Sequence, residues 1–309
     1  MKQRTIDRTC HFEGIGLHTG APVTVSVHSA PADFGICFVR TDAARRPVYV
    51  NTFSAASSDR CTLLMENDVQ IITPEHLLSA LTGLGIDNAA ISINAPEVPI
   101  LDGSAAEFVN AFQEAGIREL DEDKEYLTID EAFEYECESG AKYRFEPSDK
   151  LEIDVEVDYP SKVVGRQTAH YDESMDYASE IAPCRTFCFF NEIEPLVEKG
   201  LIKGGSLDNA LVVMDDEPSE DTLARMREAF GVPDLIQAPE GYLSNCKPMF
   251  NNEIARHKLL DLIGDLSLAA MPVKVKITAY KPGHKSNAEA IDALVAKAYE
   301  GIEENDDDE

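Results

Sequence analysis

Alternating apolar and polar residues predict β-strands in both halves of the chain. Residues 23–27 and 151–157 alternate with period two, which places apolar side chains on one face of a sheet and polar ones on the other. Two apolar runs, at 89–94 and 273–279, have the length and composition of buried strands. Each half is therefore expected to contain a sheet with one face against a core.

Helical periodicity follows the strands in each half. One helix is predicted to begin near Thr73, which suits an N-cap, with Pro74 at the first helical position. Its counterpart begins near Asn252, and a last helix is expected after Ser104 and again after Ser286. Groups of strands combined with helices in this way predict an α+β chain.

The two halves repeat a sequence pattern. His-x-Leu-Leu-x-x-Leu occurs at His76 and again 181 residues later at His257. Ser104 and Ser286, 182 residues apart, begin similar amphipathic stretches. Two matches at nearly one offset favour two similar domains formed by internal duplication. The alternative is chance similarity between amphipathic helices.

Domain limits follow from the repeat and from a charged stretch at 119–125. They predict a first domain at 1–122, a second at 123–300 and an acidic tail at 301–309, disordered from Glu303. Residues 5–7 resemble 128–130 at an offset of only 123, so the second domain is expected to carry an insertion. Its centre, 186–213, is predicted to form a strand, a helix and a strand.

Charge and composition exclude several classes of protein. The formal net charge of −30 argues against a grip on nucleic-acid phosphates. The N-terminus lacks the apolar core of a secretory signal, and no apolar stretch is long enough for stable membrane insertion. Seven cysteines without a C-x-x-C pair indicate neither a disulfide framework nor a thiolate metal site. We expect a cytoplasmic monomer.

The first candidate for chemistry is the pair Glu75-His76. Both residues fall in the first turn of the predicted helix, where side chains can extend beyond the helix end into a cleft. The alternative is a surface helix whose Glu75 simply complements the helix dipole.

The second candidate lies in the equivalent helix of the other half. His257, Asp261 and Asp265 follow one another at intervals of four and therefore share one helix face. An imidazole and a carboxylate one turn apart can bind the same metal ion. The alternative is a solvated His–Asp pair.

The repeat connects the two candidates. If the halves pack about a pseudo-twofold axis, His76 and His257 meet, and with Asp261 they form three metal ligands. Three ligands leave a coordination position for water, as in catalytic zinc sites. Glu75, adjacent to a ligand, could then take a proton from that water.

Residues 279–285 contain the remaining candidates, at the end of a predicted strand. His284 could protonate a leaving amine, with Asp265 holding its cationic form. Lys258 and Lys281 are the nearby cations that an anionic substrate would need on so acidic a protein. The alternatives are an exposed loop histidine and ordinary surface lysines.

Two other functions are compatible with these residues. Two histidines and one carboxylate also describe the metal site of non-haem iron oxygenases, although that chemistry has no evident use for Glu75. A binding module without enzymatic activity is the second alternative, in which the histidines are incidental.

A longer set of motifs resembles the UDP-3-O-acyl-N-acetylglucosamine deacetylases, the zinc enzymes that commit material to lipid A synthesis. The ordered motifs run over most of the chain: GIGLHTG at 14–20, TPEHL at 73–77, GLGIDN at 83–88, DGSAA at 102–106, RTF at 185–187, GGS at 204–206, RHKLLDLIGD at 256–265 and KPGH at 281–284.

The resemblance implies two α+β domains with the active site between them, zinc or ferrous iron on the three ligands, and an acylated UDP-sugar substrate. It assigns catalysis to Glu75 as the base, His284 as the proton donor or electrostatic partner, Asp265 as its support, Thr186 at the oxyanion and Lys258 near sugar and phosphate. Whether His284 or the protonated Glu75 delivers the proton to the leaving amine stays open. Substrate contacts fall on residues from several motifs: His18, Phe187, Gly205, Ser206 and Lys281. The uracil contact stays open between Val157 and Tyr159.

Overall fold

The structure is a computed structural model, and it describes residues 1–43, 46–58, 60–198, 203–244 and 247–306. Its first half contains ten strands and two helices in the described residues: β1 (Lys2–Ile6), β2 (Cys10–Ile15), β3 (Pro22–Ser29), β4 (Ile36–Arg40), β5 (Pro47–Tyr49), β6 (Ala55–Ala56), β7 (Leu63–Glu66), β8 (Val69–Ile72), α1 (Glu75–Gly83), β9 (Ala89–Ile93), α2 (Ala106–Ala115) and β10 (Ile117–Asp123).

In its described residues, the second half has fewer strands and more helices than the first. Where the structure describes it, it consists of β11 (Phe133–Glu136), β12 (Lys142–Pro147), β13 (Glu152–Asp158), β14 (Arg166–Asp172), α3 (Tyr177–Glu180), β15 (Phe187–Phe189), α4 (Phe190–Glu198), β16 (Leu211–Val213), α5 (Glu220–Phe230), α6 (Glu253–Asp265), β17 (Val275–Tyr280) and α7 (His284–Asp306).

Each half is built on a five-stranded sheet, and the two sheets have the same topology. The strand orders are β2-β3-β9-β4-β5 and β11-β12-β17-β13-β14. In each sheet only the pairing between the third and fourth strands of that order is parallel. All other pairings are antiparallel. Identical order and direction confirm the predicted α+β fold with two similar halves.

One apolar core joins the halves. Phe38 and Phe108 of the first half belong to the same buried cluster as Tyr143 and Phe145 of the second. The alternating strands supply it, since β3 and β13 bury every second side chain.

The predicted boundary stretch is a strand. Residues 117–123 form β10, which pairs antiparallel with β1 at the start of the chain. The charges that suggested a domain boundary are compatible with this pairing. Lys2 of β1 lies opposite Asp123 of β10 and forms an ion pair with it at 3.3 Å.

Helices α1 and α6 pack directly against each other between the two sheets. Ser79 Oγ donates to the carbonyl oxygen of Leu260 at 2.7 Å, and Thr82 Oγ1 lies 2.9 Å from Ser267 Oγ. The two equivalent helices of the repeat are therefore in contact. The contact brings the first turn of α1, with His76, towards the second turn of α6, with His257.

The start of α1 differs from the prediction. Pro74, not Thr73, occupies the N-cap position, and Glu75 is the first helical residue. Thr73 adopts a φ of 57°, and its hydroxyl donates to Glu97 Oε1 at 3.1 Å, so it cannot cap the helix. The predicted N-cap at Thr73 is wrong because a buried carboxylate competes for the same hydroxyl.

Within the second half, β15, α4 and β16 form a strand–helix–strand unit, and α5 packs on α4. Residues 199–202, within this predicted insertion, lie outside the described residues. The unit contacts the first half at two glycines. A Cβ on Gly103 would lie 2.0 Å from the Asn209 carbonyl oxygen, and one on Gly204 would lie 2.0 Å from that of Gly16. Only glycine permits such close approach of two backbones.

Helix α7 continues into the predicted acidic tail as far as Asp306, and the disorder of the tail stays a prediction. Residues 307–309 lie outside the described residues. In the described part of the chain, no helix has both the length and the apolar character needed to cross a membrane.

Candidate metal centre and active site

His76, His257 and Asp261 meet at the junction of the two halves. Asp261 Oδ1 lies 3.7 Å from His76 Nε2 and 3.4 Å from His257 Nε2. One possible ligand atom from each residue lies within 4.8 Å of the other two, and all three side chains are buried. The sequence repeat predicts that these residues meet, and in the structure the packing of α1 on α6 brings them together.

The donor set fits a divalent cation. Asp261 Oδ1 is buried and receives no hydrogen bond from any residue that the structure describes, an unfavourable state for a carboxylate oxygen unless a cation binds it. His257 Nδ1 lies 3.0 Å from the carbonyl oxygen of Cys184, to which it can only donate. That bond leaves the Nε2 lone pair directed at Asp261, as in metal-binding histidines.

The charges of the three side chains also suit metal binding. Burial and the neighbouring His257 lower the pKa of His76 to about 3. Burial likewise lowers the pKa of His257. Burial alone would raise the pKa of Asp261, but its contacts with His257 and with the Lys258 ammonium outweigh burial and hold that pKa below its ordinary range. Neutral imidazoles beside an ionised carboxylate are the forms that bind a metal ion.

Glu75 stands next to this centre as a buried carboxylate. Its Oε2 accepts from the backbone N–H of Thr62 at 3.1 Å, and its Oε1 lies 3.6 Å from His284 Nε2. Burial raises the pKa of Glu75 to about 8, with the charge of His284 opposing the shift. A carboxylate with a pKa near neutrality is suited to exchange a proton with water.

His284 approaches from the other half, at the first turn of α7. Its Nε2 lies 3.6 Å from Asp261 Oδ2, and its Nδ1 lies 3.2 Å from Asp265 Oδ2. Burial would lower the pKa of His284, but the charges of Glu75, Asp261 and Asp265 raise it to about 9. The structure thus brings His284 and Asp265 together as the sequence predicted.

The two candidate lysines occupy different environments. Lys258 Nζ donates to Asp261 Oδ2 at 2.7 Å and lies 5.8 Å from the ring centroid of Phe187. Burial would lower the pKa of Lys258, but Asp261 and Tyr159 raise it above its usual range. Lys281 is exposed and pairs with Asp158 at 3.2 Å, so it is not part of the buried cluster.

The insertion supplies the wall beside His257. Its Phe187 packs edge-on against the His257 ring, with centroids 6.3 Å apart, and also contacts Tyr159 at 5.6 Å. Thr186 lies in sequence between Cys184 and Phe187, which both contact His257. Its backbone N–H donates to the carbonyl oxygen of Gly103 at 2.8 Å.

The remaining substrate candidates lie where the insertion meets the first half. The backbone N–H of Gly204, the residue before Gly205, donates to the carbonyl oxygen of Leu17 in the loop that carries His18. His18 Nε2 is buried without a hydrogen-bond partner among the described residues. Ser206 is exposed, and its N–H donates to Asn209 Oδ1 at 2.9 Å, which fixes the turn.

The sequence assigns no role to two buried residues of the site, although the resemblance places Cys61-Thr62 close to the metal. Thr62 contacts Glu75, Asp265 and His284. Glu97 accepts hydrogen bonds from the His18 loop and from Thr73, which joins that loop to the start of α1. Neither belongs to a spacing pattern, so only a buried polar position in an apolar context could have signalled them.

Fold and site together define an α+β protein of two similar halves with a buried cluster of two histidines and one carboxylate that could hold a metal ion. The chain belongs to the UDP-3-O-acyl N-acetylglycosamine deacetylase family, whose model matches residues 3–230 and 234–296.

Relatives under that name cover most of the chain. A UDP-3-O-acyl-N-acetylglucosamine deacetylase of Myxococcus xanthus is 39% identical over 92% of this chain and 83% of its own length. One of Brucella melitensis is 35% identical over 97% of this chain and 98% of its own. A bifunctional enzyme LpxC/FabZ of Chlorobaculum tepidum is 41% identical over 94% of this chain. The chain spans only 62–64% of the length of that relative and of two other bifunctional ones.

Proposed function

We propose that the protein hydrolyses the N-acetyl group of UDP-3-O-acyl-N-acetylglucosamine to release acetate and the free glucosamine amine, the committing step of lipid A synthesis. The observation that carries the proposal is the pairing of Glu75 and His284 across the two halves. Their Oε1 and Nε2 atoms lie 3.6 Å apart beside a donor set suited to a cation. The names of the relatives supply the substrate.

His76, His257 and Asp261 would hold the metal, which we propose to be Zn²⁺, with Fe²⁺ possible in the same site. When bound, the ion supplies Lewis acidity, which polarises a carbonyl oxygen and lowers the pKa of a water molecule towards ~7. A nitrogen-rich site with one carboxylate suits either ion.

The chain's own residues then divide the proton transfers. Glu75 accepts a proton from the attacking water, because it is a buried carboxylate at the start of α1, directly before the ligand His76, and lies 3.6 Å from His284. His284, held by Asp265, protonates the departing amine. Thr186, next to Phe187 in the wall beside His257, stabilises the oxyanion of the tetrahedral intermediate. Lys258 binds the sugar or phosphate of the substrate.

Substrate binding is assigned to the surfaces around the junction. We propose contacts from His18, Phe187, Gly205 and Ser206, with Lys281 at the outer, solvent-exposed side. For the uracil, Tyr159 is the better candidate because Val157 is buried in the core at 1% exposure, whereas Tyr159 is partly exposed and contacts Phe187.

The two halves are proposed as two domains, residues 1–122 and 123–300, with the insertion at 186–213 and the acidic tail from 301. The identical topology of the sheets supports this division. We further propose a cytoplasmic monomer, in keeping with a nucleotide-activated substrate.

The test is an acetate-release assay on the acylated nucleotide sugar, run under nitrogen and combined with elemental analysis of the purified protein. We expect acetate and one metal ion per chain. Turnover that requires oxygen would favour the iron oxygenase alternative. A protein without stoichiometric metal and without acetate release would favour the binding module.

A further inference from the structure

Thr62 connects the proposed base and the proposed acid. It precedes β7 in the first half and is 5% exposed. Its backbone N–H donates to Glu75 Oε2 at 3.1 Å. Its hydroxyl bonds to Asp265 Oδ1 and lies 3.1 Å from His284 Nδ1, so one residue of the first half touches both groups of the second.

The hydrogen bonds of Asp265 leave one arrangement of protons. An ionised carboxylate only accepts, so the Thr62 hydroxyl must donate to Asp265. Asn287 Nδ2 donates to Asp265 Oδ2 at 2.7 Å. The carboxylate fixes the amide orientation, because an amide oxygen in that place would face another acceptor. The Tyr143 hydroxyl then donates to Asn287 Oδ1 at 2.6 Å.

The same reasoning fixes the proton of His284. Thr62 Oγ1 has given its only hydrogen to Asp265 and can therefore only accept from His284 Nδ1. The other neighbour of Nδ1, Asp265 Oδ2, also accepts. Nδ1 thus keeps its hydrogen throughout, and Nε2 is the nitrogen that exchanges a proton. Nε2 faces Glu75 Oε1 at 3.6 Å.

We propose that Thr62 is a positioning residue of the deacetylation: its hydroxyl holds the hydrogen of His284 on Nδ1 while its N–H aims Glu75. The proposal rests on the function proposed above. Water forms the new bond to the acetyl carbon and gives one proton to Glu75 Oε1. The C–N bond then breaks, and the departing amine takes a proton from His284 Nε2. Glu75 passes the proton that it took from water to His284 Nε2. The acid formed releases its remaining proton as acetate.

Three variants test the role of the hydroxyl. Thr62→Val has nearly the same shape and keeps the backbone N–H, whereas Thr62→Ser keeps the hydroxyl. We expect Thr62→Val to lower kcat about 10- to 100-fold at nearly unchanged KM and metal content, because a misplaced proton donor loses part of the roughly 10²- to 10⁴-fold that such catalysis contributes. Thr62→Ser should stay within about threefold. Thr82→Val, which removes the hydroxyl contact to Ser267 at the far end of α1, is the matched control and should keep wild-type kcat.

A double-mutant cycle separates positioning from a general loss of structure. In a His284→Gln background, Thr62→Val should add less than about twofold, because the ring it positions is absent. An undiminished extra loss in that background, or wild-type kcat in Thr62→Val, would overturn the proposal. If Thr62→Val does not fold, Thr62→Ala takes its place in the same cycle.

A spectroscopic measurement tests the proposal even if the substrate has been assigned wrongly. In ¹⁵N-histidine-labelled protein, we expect a downfield Nδ1–H proton of His284 that exchanges slowly with water, identified by its loss in His284→Gln. Thr62→Ser should keep this signal and Thr62→Val should lose or broaden it. The same signal in Thr62→Val as in the wild type would contradict the role of Thr62, whereas absence of acetate release alone would count against the proposed function.

Discussion

The backbone of Gly264 in α6 lies against the backbone of Glu75 in α1, so that a Cβ at Gly264 would be 2.2 Å from the Glu75 carbonyl oxygen. This contact sets the distance between the two helices at the level of the metal centre. The rings of His76 and His257, one on each helix, have centroids 5.1 Å apart. The absence of a side chain at 264 is therefore a condition for the ligands to meet.

Gly264→Ala should separate α1 from α6 and weaken metal binding. The contact is with backbone, which cannot rotate away, so we expect a loss of about 1–3 kcal/mol of stability from overpacking. We also expect a substoichiometric metal content by elemental analysis after dialysis. Gly140→Ala is the control, at a turn with φ of 84° and open space for a Cβ, and should lose stability without losing metal. A fully loaded Gly264→Ala protein would contradict the argument.

Glu75→Ala should retain the metal and lose roughly 10²-fold or more in turnover, from the usual contribution of general-base catalysis. Glu75 is not one of the three residues whose ligand atoms converge, which is why metal content should not change. The measurement is kcat of acetate release together with metal analysis of the same sample. Near-normal turnover would refute the assignment of Glu75 as the base.

Asp261→Ala should lose the metal. Its Oδ1 lies 3.7 and 3.4 Å from the two histidine Nε2 atoms, and without Asp261 the side chain of Lys258 would lose its carboxylate partner. Asp154→Ala is a matched control, because Asp154 also pairs with an imidazole, that of His170 at 2.8 Å, but on the surface. Elemental analysis should find metal in Asp154→Ala and little in Asp261→Ala. Full occupancy in both would argue against Asp261 as a ligand.

The packed helices and the three convergent ligands could be predicted from the sequence because they depend on local patterns. Four-residue spacing places His257 and Asp261 on one helix face, and the repeat pairs His257 with His76. Both signals are present in a few consecutive residues, and the structure places the side chains accordingly.

Long-range competition for hydrogen bonds could not be predicted in the same way. The Thr73 hydroxyl bonds to Glu97, 24 residues away, instead of capping α1. Thr62 bonds to Asp265 across 203 residues. The pairing of β10 with β1 likewise depends on a partner at the other end of the first half. Such partners are chosen by tertiary packing, which no local pattern encodes.

The pH dependence of kcat/KM should change when His284 is replaced by Gln. Deprotonation of Glu75 activates it as a base, so activity rises with pH through the Glu75 pKa. The charge of His284 lowers that pKa, and removing it therefore raises the pKa. The acidic limb of the profile should move to higher pH in His284→Gln, and the falling limb at high pH should disappear, because His284 no longer loses its proton. An acidic limb at the wild-type position would show that the two groups do not interact.

Salt should stabilise the protein. The chain has 57 acidic against 27 basic residues and a formal charge of −30, so repulsion outweighs attraction over the surface as a whole. Surface ion pairs such as Lys162–Asp216 are exposed and contribute little, so screening them costs little.

Raising NaCl from about 0.05 to 0.5 M shortens the screening length from more than 10 Å to less than about 5 Å. We expect Tm to rise by several degrees, about 1–2 kcal/mol for a chain of this size. Differential scanning calorimetry at pH 7 measures it, with equal concentrations of KCl as the control for a specific sodium effect. A Tm that stays constant or falls across this range would mean that attractive pairs, not net charge, dominate the electrostatics of the folded state.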